Sequence, residues 1–414
     1  MQCDIAIIGA GSAGIAAAIA AAESGLKVIL LEKYGFTGGL ATSAMVGTIC
    51  GLYYRSTSKA RYAAQGFSRE FAEAVMAKSH TRPVTYAEGL HFLPYQPCAF
   101  HNQAVQQLKR AGVQLLLHMY VSDVKVHEKQ LVELTIISPE KIFCLQPSAV
   151  VDCSGSAQIS MLANLAMIKQ QHYQSGALVF QVSGLPEMEP RSLALNLIRW
   201  IKRGIHSGDL DPHCERLSIV PGSVNHGFGL LKLSMPEPFN AQFSNLTEYE
   251  LEARTRSTKI VEYLHGAEPT LKDLTITMMA TQIGIRSGPR SLGIQILKED
   301  DCLNCTKPED GVAIGVWPIE YWGVQHKPEM RYFKADDFYL IPAGTLVSEA
   351  IDNLFFAGKA MSATEFAIAS SRVIGTCLST GYAAGMLASE LVQKGNWKTA
   401  VDKIRNKQVY SQGL

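Results

Sequence analysis

Three apolar segments open the chain. Asp4–Ile8 (DIAII) is a short continuous run ending on glycine, which reads as a buried strand. Ile15–Ala22 is almost entirely alanine and isoleucine and suits a helix lying close against a sheet, with Ser24-Gly25 as its stop. Val28–Leu31 is a second continuous run, with Glu32 at its C-terminal end. The link between first strand and helix carries Gly9, Gly11 and Gly14 in a G-x-G-x-x-G spacing. A strand–turn–helix–strand unit with this spacing, followed by an acid, predicts dinucleotide binding. Gly9 permits the tight turn, Gly11 lets the backbone approach a pyrophosphate without a Cβ in the way, and Gly14 lets the helix pack on the strand. The helix N-terminus, at Ser12 and Ala13, offers unpaired N–H groups and a partial positive charge to phosphate. Glu32 can accept hydrogen bonds from ribose hydroxyls and would repel a 2′-phosphate. From this unit alone, NAD and FAD are equally good ligands.

Further along, Tyr34–Val46 (YGFTGGLATSAMV) is a loop of glycine, small and hydroxyl residues. It can wrap a flat cofactor, or be a plain glycine-rich loop; its place after Glu32 favours the first. Residues 50–97 have mixed character, with an amphipathic stretch at Phe67–Ala77, and are expected to form a largely helical insertion. His101–Ala111 predicts a helix closed by Gly112. Val113–Tyr120 predicts a strand with His118 packed inside it, and DVKV with QLVELTII alternate as a hairpin. Ala149–Asp152 is a buried strand leading into Cys153-Ser154-Gly155. From about Leu178 the pattern changes to strands at Leu178–Val182 and Gly229–Leu233 and amphipathic helices at Arg191–Arg203 and Thr247–Leu264. Asn353–Ala357 is again a strand, and from Val373 small residues predict a helix packed tightly on a sheet or a cofactor. Asn396–Leu414 is expected to be a short helix and tail. The fold expected is α/β, a Rossmann-like unit with an inserted α+β domain. Its boundaries are 1–165 with 335–414 for the first and 166–334 for the second.

Charge and composition narrow the chemistry. A formal net charge of +1 gives no reason to expect a nucleic acid or an anionic membrane as partner. No apolar run approaches the ~20 residues of a membrane span. The first residues enter a strand directly, with no basic leader, so a cytoplasmic location is expected. The nine cysteines show no disulfide framework. Cys302-x-x-Cys305 cannot complete a four-ligand zinc site, so no metal is expected. Its acidic, turn-rich neighbours suggest a surface loop, a redox dithiol being the alternative. In IGIRSGPRSLGIQIL, Arg286 and Arg290 flank a Gly-Pro turn. They can clamp a carboxylate or phosphate, or be a solvated, salt-bridged pair. His226, Glu320 and Glu365 are the candidate proton carriers.

Taken in order, IIGAGSAGIAAAIAAAESGLKVILLE, TGGLATSAMV, AGVQLLLHMYVSDV, VVDCSGSA, IRSGPRSLG and NLFFAGKAMSATEFAIASSRVIGTCLSTGYAAG nearly span the chain. In these segments the chain resembles the FAD-dependent oxidoreductases of the glutathione-reductase-like two-dinucleotide-fold superfamily, near the fumarate-reductase flavoproteins. The resemblance implies a glutathione-reductase-type FAD domain and FAD bound extended. It places Gly9, Gly11, Ser12, Ala13 and Gly14 at the pyrophosphate and Glu32 and Lys33 at the adenosine ribose. Val121 would meet adenine through its backbone. Gly38, Gly39, Leu40, Ala41 and Thr42 would line the ribityl and flavin side. Ser154 and Gly155 form the strand-to-turn return, and Gly358 with Arg372, Val373, Ile374 and Gly375 approaches the ribityl chain and pyrimidine ring. The activity implied is hydride transfer between a small polar or anionic substrate and FAD, with Arg286 and Arg290 orienting the substrate. The absence of histidine in Thr37–Val46 implies non-covalent FAD.

Three departures weaken any inherited acid–base residue or motif. Ser362-Ala363-Thr364 is followed by Glu365 where relatives carry histidine. Glu320 and Trp322 occupy the places of an Asp-x-His. Gly155 leads into Ser156-Ala157-Gln158 rather than G-D-G-D. A second G-x-G-x-x-G is missing, which leaves the electron partner open. An oxygen-using oxidase or monooxygenase is the alternative enzyme. An FAD-binding assembly or RNA-modification partner is the alternative outside enzymes, and a homo-oligomer is compatible with everything above.

Overall fold

The structure is a computed structural model. It describes residues 1–408 apart from 237, 241, 242 and 326. The expected tail at 409–414 lies outside the described residues, and so does the end of the expected 335–414 segment.

The main sheet is built from β1 (Gln2–Ile8), β2 (Val28–Glu32), β3 (Gln114–Leu117), β4 (Tyr120–His127), β5 (Gln130–Ile137) and β6 (Ile142–Asp152). The remaining strands used below are β7 (Ala177–Ser183), β8 (Leu217–Ile219), β9 (Gly229–Ser234), β10 (Thr275–Met279) and β11 (Leu354–Phe356). The main helices are α1 (Ser12–Glu23), α2 (Phe67–Ser79), α3 (Pro97–Arg110), α4 (Pro190–Ser207), α5 (Phe243–Ala267) and α6 (Ile374–Lys394).

β3, β2, β1 and β6 run parallel in that order, and β11 adds in parallel on the far side of β6. The register sets Ile5 against Val28 on one side and Ala149 on the other. Alternation along β1 divides the core. Ile5 and Ile7 face α1 and α6, whereas Ala6 and Ile8 join Leu131, Ile136 and Phe356 on the opposite face. The early residues of β6 pair antiparallel with β5, and β5 with β4, so one long strand serves both the parallel sheet and the hairpin.

α1 is buried along nearly all of its length because alanine keeps it thin. α6 closes on it through Gly381 and Gly385. A Cβ on either would stand 2.1 Å from Ala13 O or 2.3 Å from Ala17 O. Two backbones this close require glycine.

β8, β9, β7 and β10 form a separate antiparallel sheet in that order. One face takes Leu193, Leu197 and Ile201 of α4, spaced four apart on one side of the helix, with Phe180, Val182 and Leu231 beneath them. The other face meets Tyr249 and Ala253 of α5.

Some local expectations change. The segment 50–97 is not largely helical: α2 is joined by strands at Val84–Thr85 and His91–Pro94, the second lying between the first and Thr48–Ile49 and pairing with both. The strand expected over Val113–Tyr120 breaks at His118, which takes a φ of +57° and is exposed rather than packed. The break lets His118 N and Met119 N donate to Tyr34 O and Glu32 O. Cys302 is not in a surface loop. It is fully buried on the short helix Glu299–Leu303, and burial pushes its thiol up to about 12, the opposite of a redox-active thiolate.

Candidate active site

The glycine turn after β1 sits at the centre of the parallel strands, where β2 and β6 flank β1. Gly9 has a φ of +94°, and a Cβ there would meet Cys153 O at 2.8 Å. Gly14 packs onto Gly9 O, where a Cβ would lie at 1.8 Å. Gly11 is different. A Cβ on it would meet only Gly39 Cα, at 4.0 Å, so the space in front of Gly11 is open. Gly11 is also the N-cap of α1 and provides no side-chain cap, which leaves the helix's first N–H groups, at Ser12 and Ala13, for a ligand. These residues fit a pyrophosphate.

Glu32 is buried. Its Oε2 accepts from Ala10 N at 2.7 Å and its Oε1 from Tyr34 N at 3.0 Å, which fixes the carboxylate beside the turn. Burial raises its pKa, against those two bonds. Lys33 is exposed, its ammonium 5.0 Å above the Tyr34 ring. The second glycine pair folds back onto the first: Gly38 N donates to Ala10 O at 2.8 Å, and a Cβ on Gly39 would reach Gly11 Cα at 3.0 Å. Thr42 Oγ1 bonds Thr37 O at 2.8 Å and so holds the loop on which Leu40 and Ala41 begin a short helix. Val121 is part of β4, and its carbonyl accepts from Gln158 Nε2 at 2.7 Å. Ser154 Oγ accepts from Gln158 N at 3.1 Å and caps the turn at Gly155. Gly358 (φ +63°) approaches Ala13, with a Cβ position 3.0 Å from Ala13 Cβ. Val373 is the N-cap of α6 and Ile374 its first residue. Gly375 does not face open space, since its N–H donates to Cys50 O at 2.9 Å and it packs on Gly51.

Between this sheet and the antiparallel one lies a charged cluster. Trp322 is its centre. The Arg286 guanidinium stands 4.3 Å from the indole centroid and the Lys232 ammonium 5.2 Å from it. Glu320 anchors the ring: its two oxygens accept from Trp322 Nε1 at 2.9 Å and Trp317 Nε1 at 2.8 Å. Arg372 Nη2 donates to Glu320 O at 3.2 Å and to Gln174 Oε1 at 3.3 Å. Arg286 also donates to Ser175 O and to Ser234 Oγ.

The electrostatics follow. Burial and the Arg372 charge push Arg286 down to about 9, and burial with Arg286 lowers Lys232. Burial also lowers Arg372. Burial works to raise the Glu320 carboxyl, but Arg372, the two indole N–H bonds and Lys232 outweigh it and hold it below the usual carboxylate range. Three cations thus surround one carboxylate. Gln174 Nε2, Arg372 Nε and Thr376 Oγ1 are buried and have no hydrogen-bond partner among the described residues.

The other expected residues are elsewhere. Arg290 is not paired with Arg286 in a clamp. It is fully buried, its Nη1 2.7 Å from Glu365 Oε2 and its Nε 2.7 Å from Ala363 O. Glu365 also accepts from Ser287 Oγ at 2.5 Å. His226 is exposed at a two-residue hairpin tip, where it and Gly227 both take positive φ. Lys232, Gln174 and Trp322 were absent from the sequence-derived site. Lys232 lies in an ordinary-looking strand, and only the pairing of β9 with β7 brings it to the cluster.

A family model described as FAD dependent oxidoreductase matches residues 4–410. The chain belongs to that family. It is an FAD-dependent oxidoreductase, and FAD is its cofactor. A 36-residue stretch, 9% of the chain, is 58% identical to a urocanate reductase of Eggerthella lenta, of which it spans 6%. Among solved structures, the oxidoreductase is similar in fold to a geranylgeranyl bacteriochlorophyll reductase-like protein from Thermoplasma acidophilum. That match has a TM-score of 0.51 and 11% identity, covering 99% of this chain and 84% of the other. It also resembles BexE (TM-score 0.53, 10% identity, 97% and 66% covered). A third similar fold is the flavin-dependent brominase Bmp2 (TM-score 0.50, 14% identity, 98% and 83% covered). Among the described residues, no helix is long and apolar enough to cross a membrane, and no cluster of ligating side chains could hold a metal.

Proposed function

We propose that this oxidoreductase moves a hydride between a small anionic organic substrate and non-covalently bound FAD. We further propose a glutathione-reductase-type FAD domain from 1–165 and 335–414, with 166–334 as the substrate-covering domain. The antiparallel sheet has an apolar core of its own, which supports a separate unit, while Leu297, Val312, Ile319 and Phe333 pack into the core of the parallel sheet. FAD bound along Gly11, Glu32, Gly39 and Gly358 supplies a two-electron acceptor. The protein's residues then do the rest.

One observation carries the substrate reading. Lys232, Arg286 and Arg372 converge on a site with a single carboxylate, and two buried donors there, Gln174 Nε2 and Arg372 Nε, have no partner among the described residues. An unpaired buried donor costs about 1–3 kcal/mol, more for a charged group. A substrate anion would satisfy these groups and offset the excess charge. Glu320 is committed to the two indoles, Glu365 to Arg290. Lys232 is left as the group that exchanges a proton with substrate, its ammonium 5.2 Å from the Trp322 ring centroid and its proton affinity already reduced by burial and Arg286.

Anaerobic addition of small carboxylates and phosphate esters to the purified protein tests this, read as loss of the oxidised-flavin band. Bleaching by anions, and not by their uncharged esters or amides, is the expected result. Bleaching only by neutral compounds would rule the anion reading out. The rate at which the reduced protein recovers its colour in air reports whether oxygen is the electron partner.

A further inference from the structure

Lys359 is a half-buried cation that the substrate site does not use. It follows β11 in the 3-10 turn Gly358–Ala360, directly after the glycine that packs on Ala13. Its side chain reaches the turn that follows β6. Lys359 Cε lies 3.1 Å from where a Cβ on Gly155 would stand, so Gly155 is what admits it. Its ammonium donates to Ile285 O at 2.7 Å. That is a neutral acceptor, and an ammonium has three N–H bonds to place. Among the described residues no carboxylate pairs with it. The titratable and charged groups around it are Cys377 of α6, Arg372 and Lys33. Two of these are cations and the third is a thiol that burial pushes up to about 12 and so keeps neutral.

The setting is electrostatically one-sided. The uncapped N-terminus of α1 contributes a further partial positive charge beside Gly358, across from the open space at Gly11. A half-buried ammonium without an anion, in a residue whose neighbour Gly358 packs on a helix N-terminus, is unfavourable. An anion in the Gly11 cradle would relieve both.

We propose that Lys359 supplies the positive charge that offsets the pyrophosphate of FAD. It does so from the C-terminal part of the chain, opposite the glycine turn. The inference rests on FAD as cofactor and is independent of the substrate proposal.

Binding measurements on the full-length protein test it without any turnover. FAD release is followed by recovery of flavin fluorescence on dilution, across a range of salt concentrations. ADP, which carries the pyrophosphate but no flavin, is the competing probe. Wild-type affinity for FAD falls as salt rises. Lys359→Met weakens FAD binding about ten-fold or more, weakens ADP binding by the same factor, and flattens the salt dependence. Lys359→Arg restores most of each. Three results would overturn the proposal: salt-independent FAD binding by the wild type, unchanged FAD affinity in Lys359→Met, or weakened FAD binding with ADP unaffected. The last would place the ammonium at the flavin end. The wild-type salt series needs no variant, so a poorly folding Lys359→Met leaves the proposal testable.

Discussion

Arg290→Met separates a structural arginine from a substrate-binding one. The wild-type guanidinium donates from Nη1 to Glu365 Oε2 (2.7 Å) and Gly288 O (2.9 Å), and from Nε to Ala363 O (2.7 Å). Its exposure is 0%, and that of Glu365 is 4%. In the methionine variant, Glu365 keeps, among the described residues, the Ser287 hydroxyl as its hydrogen-bond partner. Removing one member of such a pair costs about 3–5 kcal/mol. Glu365→Leu is expected to cost a similar amount, because it strands the arginine instead. The double variant removes both charges and is expected to cost much less than the sum, giving a coupling of about 3 kcal/mol in the cycle. Urea unfolding followed by circular dichroism, at fixed free FAD so that cofactor binding is constant, measures all four proteins. The refuting outcome is specific. If Arg290→Met unfolds within about 1 kcal/mol of wild type while the substrate KM rises ten-fold, the arginine binds substrate and the ion pair is incidental.

Arg286→Ala is expected to raise the substrate KM about 10- to 100-fold with FAD content unchanged, as loss of a charge-assisted contact implies; absorbance ratios report the flavin content. Gly381→Val should abolish flavin retention in purified protein, because even the first carbon of the new side chain would stand 2.1 Å from Ala13 O. The Glu320 carboxyl titrates below its ordinary value of about 4.3, so in acid the unfolded chain binds more protons than the folded one. Its stabilising contribution is therefore complete above that value and is lost as pH falls through its lower folded value. Glu320→Gln should reduce the fall of the unfolding midpoint as pH drops below about 4.3. Burial pushes Lys359 down to about 8, so at pH 9 the flavin-free protein carries it mostly neutral. FAD binding at that pH should take up close to one proton, measured by calorimetry in two buffers of different ionisation heat, and Lys359→Met should take up none.

The cofactor half of the molecule was readable because its signals are local. Gly9, Gly11, Gly14 and Glu32 lie within one strand–helix–strand unit, and small residues announce α6 before its partner is known. Each reports a constraint, such as a tight turn or a close approach, that acts on neighbours in the chain. The substrate half was not readable in this way. Arg286 and Arg290 look equivalent in IRSGPRS, yet one lies over Trp322 and the other is locked to Glu365. Their difference is set by residues that meet them only after folding. Lys232 and Lys359 carry no local mark at all, since a lysine in a strand or after a Gly is ordinarily a surface residue. His118 and Cys302 were misjudged for related reasons: a left-handed residue interrupts an apolar run, and polar neighbours surround a thiol that the fold turns inward.

The close seating of α6 on α1 also bears on how the chain acquires its shape. α1 is made well before α6, which covers it and comes about 350 residues later, and β6 before β11, which pairs with it and comes about 200 residues later. At ~5–20 residues per second of synthesis, the alanine face of α1 waits about 20 to 70 seconds for α6, and the open edge of β6 about 10 to 40 seconds for β11. During that interval the cofactor turn has its glycines in place but lacks Gly358, Lys359 and the helix that buttresses it. Loading of FAD is thus expected to follow the emergence of α6 rather than to accompany that of α1, and the early segment is exposed to wrong association meanwhile.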